Sequence, residues 1–481
     1  MDNLSSKVIR DEGLTKDQEE GMSRLLNFVN GSKTTYTLCG YAGTGKTFLL
    51  NYFLNSYNRS VVVTAPTHKA VRMIEQLTGR RGKTLHSLLG LRPNLNLENF
   101  NINNVKFDLL GSPQISHYNL VIIDECSQIN SGLKMMIEQI AANVQNGIKI
   151  LYIGDICQLP PIGERVSETF KIKDKFELTE IVRQEEGNPL VKVLAILRDD
   201  IINNKDNFIK YIGAHKEEVT EKGGYILLNR DAFKLKLIEY FTDKAFENNI
   251  NYARYTGRTN ENIREWNKFI RDKTIKDATT GMVCIDDLFT GYKTIVDEFI
   301  SPIIINSEDY IVNQIEERIS QDGFKGYNLV LTDVFTGMLT PTITLVDHTH
   351  PTFINYIRKV SNLHDLAINS SKMERGRRWK EYYEFKNRFL ILHEFPIRKN
   401  GIEQAKITRD LDYGYGLTTY KIQGSTYDNI FINLVNMIHY NYEGRKVIIK
   451  DNNYCNYAVE LRNKSLYVAL SRAKKLAILY L

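Results

Sequence analysis

One stretch constrains this chain more than any other: GYAGTGKTFLL, Gly40 to Leu50. An apolar run, TYTLC, leads into it, and TFLLNYFL continues out of it with helical character. Strand, glycine-rich turn and helix together open a βα unit, and such units assemble into parallel sheets. Gly40, Gly43, Gly45, Lys46 and Thr47 fit G-x-x-x-x-G-K-[ST] in full, with Thr44 inside the loop. Glycines allow successive backbone N–H groups to converge on phosphate oxygens at a helix N-terminus. Lys46 supplies charge at the β and γ phosphates, and the Thr47 hydroxyl is a ligand for Mg²⁺. Switches, kinases, transporters and motors all carry such a loop, so it does not choose among them.

Three further apolar runs extend the pattern. VVVTAPTHKAVRMI (Val61 to Ile74) reads as a buried strand, a turn and a helix. NLVIIDECSQI (Asn119 to Ile129) and IKILYIGDICQLPPI (Ile148 to Ile162) are strands that carry polar residues at their carboxyl ends. Alternating strands and helices predict a parallel, doubly wound sheet, with ligands outside the carboxyl ends of the strands. Between Leu91 and Ser116 the chain turns Asn-rich with short alternation, which predicts a small β-hairpin insertion. A second α/β pattern begins near Pro189 and includes YARYTGRTNENIREWNKFIR, a strand followed by an amphipathic helix. From about Asp272 to Lys399, β-rich runs such as EDYIVNQIEERI and YNLVLTDVF accompany a charged helical stretch, KMERGRRWKEYYEFKNRFL. This reads as an inserted β-rich module with a helical arm; the i, i+3, i+4 aromatics Trp379, Tyr382 and Tyr383 are assigned to core packing. The α/β pattern resumes at Tyr413.

Length and composition agree with several domains. At 481 residues, with 42% hydrophobic and 25% charged side chains, the chain has a globular balance and room for roughly three or four domains. It contains no apolar run of about 18 residues, so no membrane span is expected. The amino-terminal residues lack the basic-then-apolar order of a secretory signal. Five dispersed cysteines without a CxxC pair argue against zinc and for a reducing compartment. A net charge of +6 permits a polyanionic partner without requiring one.

A loop that binds phosphate needs groups that cleave it. Asp124, at the end of VIID, could hold Mg²⁺, and the adjacent Glu125 could orient and deprotonate an attacking water. In GDICQLPPI, Asp155 and Gln158 stand where a third strand would deliver them beside the γ-phosphate. A neutral amide there can bond in one nucleotide state and release in another.

At this point the order of motifs resembles superfamily 1 helicases of the 5′-to-3′ branch, close to RecD-like enzymes and most similar to the bacteriophage Dda type. The resemblance runs through LTKDQ, GYAGTGKT, VTAPTHKAV, TLHSLLG, IIDECS, GDICQLPPI, EIVRQ, TNENIREWN, YGLTTYKIQGST and YVALSRAK, nearly the whole chain. It implies two RecA-like domains with ATP in the cleft between them: 1–90 with 117–185, and 186–271 with 400–481. The insertion 91–116 corresponds to the family's pin-bearing domain and 272–399 to its barrel-like insertion.

The resemblance also implies roles. Gln18 would read adenine. Arg183 in EIVRQ and Arg472 in SRAK would act as arginine fingers on the γ-phosphate. Single-stranded DNA would run over Pro66, Thr67, His68, Lys69, Thr84 and His86 of the first domain. In the second it would run over Thr259, Asn260, Thr419, Lys421 and Ser425, with Gln423 and Gly424 coupling the track to the nucleotide. Tyr420 stands where many relatives carry His. Phe100 is the candidate pin tip, with Phe107 its competitor. The implied activity is an ATP- and Mg²⁺-dependent DNA helicase, a monomer in the cytoplasm (the host's, if phage-encoded). It would act on single strands and forked duplexes and move about one nucleotide per ATP, with single-strand-binding or replication proteins as further partners. Direction rests on the resemblance alone. A translocase that strips proteins without unwinding, an RNA helicase and a nucleotide-gated binding module are the alternatives; two arginine fingers beside Glu125 argue against the last.

Overall fold

The computed structural model describes residues 13–93, 107–109, 112–144, 147–182, 187–297, 301–399, 402–438 and 452–481. The chain forms two compact units. One comprises Met1–Pro66, Ala70–Leu88 and Gln114–Gly187; the other comprises Thr67–Lys69, Leu89–Pro113 and Asn188–Leu481.

The first unit is built on six strands: β1 (Thr35–Gly40), β2 (Val61–Ala65), β3 (Lys83–Thr84), β4 (Leu120–Ile123), β5 (Lys149–Gly154) and β6 (Lys175–Leu178). They lie in the order β3-β2-β4-β5-β1-β6, and every pairing is parallel. A parallel sheet covered on both faces needs apolar side chains on both, and all of β4, LVII, is buried. Helix α1 (Lys16–Asn30) and helix α2 (Lys46–Ser56) cover it. Leu38 of β1, Leu49 and Phe53 of α2, Ile122 of β4 and Ile153 of β5 share one core. Each fully buried side chain of this size contributes about 1.5–3 kcal/mol. The expected doubly wound sheet is therefore present, with β1, β2, β4 and β5 on the runs read from sequence.

The second unit contains its own α/β sheet. Strands Gly416–Thr418, Ala253–Gly257, Tyr427–Asn433, Ala473–Tyr480 and Gly223–Leu228 pair in parallel in that order, and Glu217–Thr220 closes the edge antiparallel. Aromatic packing holds the helix Asn260–Thr274 to it: Trp266 stacks on Tyr255 at 5.1 Å and meets Phe233 edge-on at 5.4 Å. The β-rich module is a six-stranded sheet, largely antiparallel, whose long strands are Asp309–Ile319 and Lys325–Asp333. Its last strand, Leu411–Tyr413, comes from beyond Lys399. The helical arm is a pair, Phe353–Ile368 and Lys372–Arg388. Trp379 and Tyr382 are buried in its core and Tyr383 packs against them, the packing role expected of these aromatics.

A two-stranded antiparallel pair, Leu91–Pro93 with Phe107–Leu109, forms the base of the expected hairpin, with Pro93 opposite Phe107. Phe100 lies outside the described residues. No helix among the described residues is long and apolar enough to cross a membrane.

Candidate nucleotide site and strand-contact segments

The loop after β1 has the backbone its glycines permit. Gly43 has φ +88° and Gly45 φ +75°, left-handed conformations that side chains adopt only under strain. Gly45 caps α2, so Lys46 and Thr47 open that helix. A Cβ on Gly45 would lie 2.5 Å from Gln18 Nε2 and 3.2 Å from Val182 Cγ2. At Gly40 it would lie 2.7 Å from Thr44 Oγ1. The Lys46 ammonium folds back on its own loop and donates to the carbonyls of Gly40 (2.6 Å) and Tyr41 (3.0 Å). The Thr44 hydroxyl donates to Tyr41 O at 2.9 Å.

Gln18 is buried, and both ends of its amide are engaged. Nε2 donates to Thr44 O at 3.2 Å, and Oε1 accepts from the Thr15 backbone in a capping box that starts α1. Sequence reasoning passed over its neighbour Asp17. The Asp17 carboxylate accepts from the backbone N–H groups of Thr179 (2.6 Å) and Glu180 (3.1 Å), just past β6. Two residues on, Val182 N donates to Gly43 O at 2.7 Å. The acid in LTKDQ was the available signal, but nothing local names its distant partners. Arg183, next in the chain, lies outside the described residues.

Asp124 follows β4; its N–H bonds Thr64 O of β2 at 2.9 Å, and its Oδ1 accepts from Glu125 N at 2.9 Å. Burial, reinforced by the Glu125 charge, raises its carboxyl to about 7. Glu125 itself has φ +52°, a left-handed backbone at a non-glycine residue. Such strain persists where the surroundings impose it, and it clusters at functional positions. Packing here is close: a Cβ on Gly154, at the end of β5, would lie 2.7 Å from Cys126 Sγ. Asp155 and Gln158 follow that glycine, both buried; Asp155 accepts from Cys157 N through Oδ1 and from Gln158 N through its carbonyl. The loop, the Asp124–Glu125 pair and Gln158 thus cluster at the carboxyl ends of adjacent strands, as read from the sequence.

The strand-contact candidates divide. Pro66, Thr67, His68 and Lys69 follow β2 and are half-buried, with His68 opening the helix His68–Thr78. The Thr84 hydroxyl accepts from Ser87 N at 3.3 Å, a capping role, and burial lowers the His86 pKa. Thr259 caps the helix that Asn260 begins, and Asn436 ties it down by accepting from Arg258 N (2.7 Å) and Thr259 N (3.1 Å). Sequence reasoning missed Asn436. In YGLTTYKIQGST the Thr419 Oγ1 and Ser425 Oγ are buried without a hydrogen-bond partner. Orphaned buried hydroxyls are uncommon and suit an external acceptor. Gly424 has φ +80°, Gln423 is buried, and Tyr420 is 41% exposed. Arg472 is buried, and its guanidinium donates to the carbonyls of Val468 and Ser425, both at 3.2 Å.

No group of three or more His, Cys, Asp or Glu among the described residues is placed to hold a metal ion.

Residues 13–211 match the model of an AAA domain. The chain is 27% identical over 317 residues to the ATP-dependent DNA helicase dda of Enterobacteria phage T4, which covers 62% of this chain and 66% of that protein. Over 186 residues it is 30% identical to the ATP-dependent RecD2 DNA helicase of Deinococcus radiodurans, covering 38% of this chain and 23% of that one. Among solved structures, that of Pif1 helicase from Bacteroides in complex with ADP-AlF3 and ssDNA aligns over 97% of this chain and 92% of its own, with a TM-score of 0.50 at 16% identity. The likeness to that structure is one of fold.

Proposed function

The chain is a relative of the superfamily 1 helicases of the Dda, RecD2 and Pif1 types, and from that premise we propose that it is an ATP-dependent DNA helicase moving 5′-to-3′ on single-stranded DNA. One observation carries the reading: a left-handed glycine loop capping α2 stands beside the Asp124–Glu125 pair, one member a buried carboxyl and the other in a strained backbone.

The proposed work of each group follows from its surroundings. The ammonium of Lys46 exchanges its two loop carbonyls for phosphate oxygens. Mg²⁺, held by Thr47 and Asp124 with phosphate oxygens, would supply charge neutralisation at the β and γ phosphates. The raised carboxyl of Asp124 fits this assignment, because an adjacent cation favours its ionised form. Glu125 orients and deprotonates the attacking water, Gln158 senses the γ-phosphate, and Arg183 and Arg472 counter the transition-state charge. Gln18 reads adenine by exchanging a hydrogen bond that its amide now makes within the chain.

Coupling to the strand is supported by Arg472. Its Nη1 bonds the carbonyl of Ser425, whose own hydroxyl is one of the two orphaned hydroxyls in the strand-contact segment. A guanidinium drawn toward phosphate changes the support of that segment. Thr419, Ser425 and the groups after β2 contact phosphates without reading bases. Single strands and forked duplexes are the proposed partners, with the protein acting as a monomer in the cytoplasm (the host's, if phage-encoded).

Forked duplexes bearing only a 5′ or only a 3′ tail test this directly, with and without ATP. Displacement from the 5′ tail alone is expected. Displacement from the 3′ tail alone overturns the polarity. Strand-stimulated hydrolysis without displacement leaves a translocase.

A further inference from the structure

Lys421 belongs by sequence to the strand-contact segment, but its ammonium points elsewhere. Nζ donates to Asn306 Oδ1 (2.8 Å), Gly291 O (3.2 Å) and Ser307 Oγ (3.4 Å). All three acceptors are uncharged and belong to the β-rich module. They flank the connection between the module's strands Leu288–Gly291 and Asp309–Ile319. Burial and the charge of Arg409 lower the Lys421 pKa to about 7.

The same Nζ sits 3.9 Å from the ring centroid of Tyr292, and Arg409 Cζ sits 4.0 Å from that centroid. Two cations therefore share one aromatic ring, a geometry in which each is attracted to the π face. Arg409 is held in turn: Nη1 pairs with Asp412 at 2.8 Å, and Nη2 donates to Asn260 Oδ1 at 2.8 Å. Asn260 opens the helix after Thr259, the other strand-contact motif of this unit. A continuous chain runs from Asn260 through Arg409 and Tyr292 to Lys421.

We propose that Tyr292 is a positioning residue, an aromatic node that fixes the strand-contact segments around Asn260 and Thr419–Ser425 to the β-rich module, and that Lys421 serves this node rather than a DNA phosphate. The inference rests on the helicase reading only for its effect on unwinding. Module and strand track then shift as one piece, so motion along the strand is delivered to whatever the module touches. Loosening the node leaves strand binding intact and lowers the duplex opened per ATP.

The test separates a phosphate contact from a structural tie. Each lysine that neutralises a phosphate adds about one to the dependence of log affinity on log salt. The Lys421→Met variant is expected to bind an oligothymidylate with the wild-type salt slope and to open several-fold fewer base pairs per ATP. Tyr292→Leu is expected to lower the same ratio, and Tyr292→Phe, which keeps the ring, to restore it. A slope reduced by about one in Lys421→Met overturns the proposal, as does a wild-type ratio in a folded Tyr292→Leu. Should Tyr292→Leu not fold, the Lys421→Met slope decides alone. A wild-type chain that opens no duplex refutes the helicase reading instead, and the slope comparison still judges the node.

Discussion

The Nζ of Lys46 lies 2.6 Å from the carbonyl oxygen of Gly40, the glycine that opens its own loop. With Tyr41 O at 3.0 Å it has two acceptors before any phosphate arrives, so nucleotide binding is an exchange of partners. Lys46→Ala is expected to lower strand-stimulated phosphate release by about a thousandfold or more, since the missing charge acts on the transition state. Its melting temperature should move by only a few degrees, because each lost bond contributes about 1 kcal/mol. Phosphate release and a thermal melt on the same preparation check both halves.

The left-handed backbone of Glu125 separates stability from chemistry. Glu125→Gly removes the Cβ that makes φ +52° unfavourable and should raise stability by about 0.5–1 kcal/mol while abolishing hydrolysis. Glu125→Gln retains the strain, so it should lack that backbone gain while bound ATP persists. Urea melts and single-turnover hydrolysis distinguish the two.

Asp124 sets a pH dependence of defined sign. Its carboxyl stands at about 7 in the fold against 3.8 as a free group, through burial first and the Glu125 charge second. Between those values the native state binds the extra proton, so this group makes stability fall as pH rises from about 4 to 7. Asp124→Asn should flatten that part of a melting-temperature profile. Adding Mg²⁺ and nucleotide to wild type near pH 6.5 should release protons, measurable as a buffer-dependent heat.

In the second unit, Arg254 is fully buried and pairs with Asp309 at 2.8 Å, joining the α/β sheet to the β-rich module. Arg254→Ala leaves that carboxylate buried without its cation and should cost about 3–5 kcal/mol. Replacing both partners together, Arg254→Met with Asp309→Leu, should recover most of the loss. Urea denaturation of wild type, Arg254→Met, Asp309→Leu and the double variant gives the coupling.

Much of the site was legible in one dimension. GYAGTGKT dictates its own geometry, because two glycines able to adopt positive φ and a helix start allow one local conformation that gathers N–H groups. Strands such as LVII announce themselves because a sheet covered on both faces demands unbroken apolar runs. Asp17 was different. Its partners lie 162 and 163 residues away, and they are backbone N–H groups, which carry no side-chain signature. Lys421 was read as a strand contact from its motif, whereas its acceptors are a carbonyl and two small side chains from a segment more than a hundred residues earlier.

The amino-acid sequence by itself determined where the phosphate-binding loop, the acidic strand end and the parallel sheet must form, since each follows from dihedral freedom, charge or apolar periodicity within a short run. Only the tertiary structure decided that Gln18 braces the loop and Asp17 the segment after β6, that Glu125 is strained, and that Lys421 and Arg409 share the ring of Tyr292. Those features arise where distant segments pack, and a polar group buried there takes whichever partner the packing brings within about 3 Å.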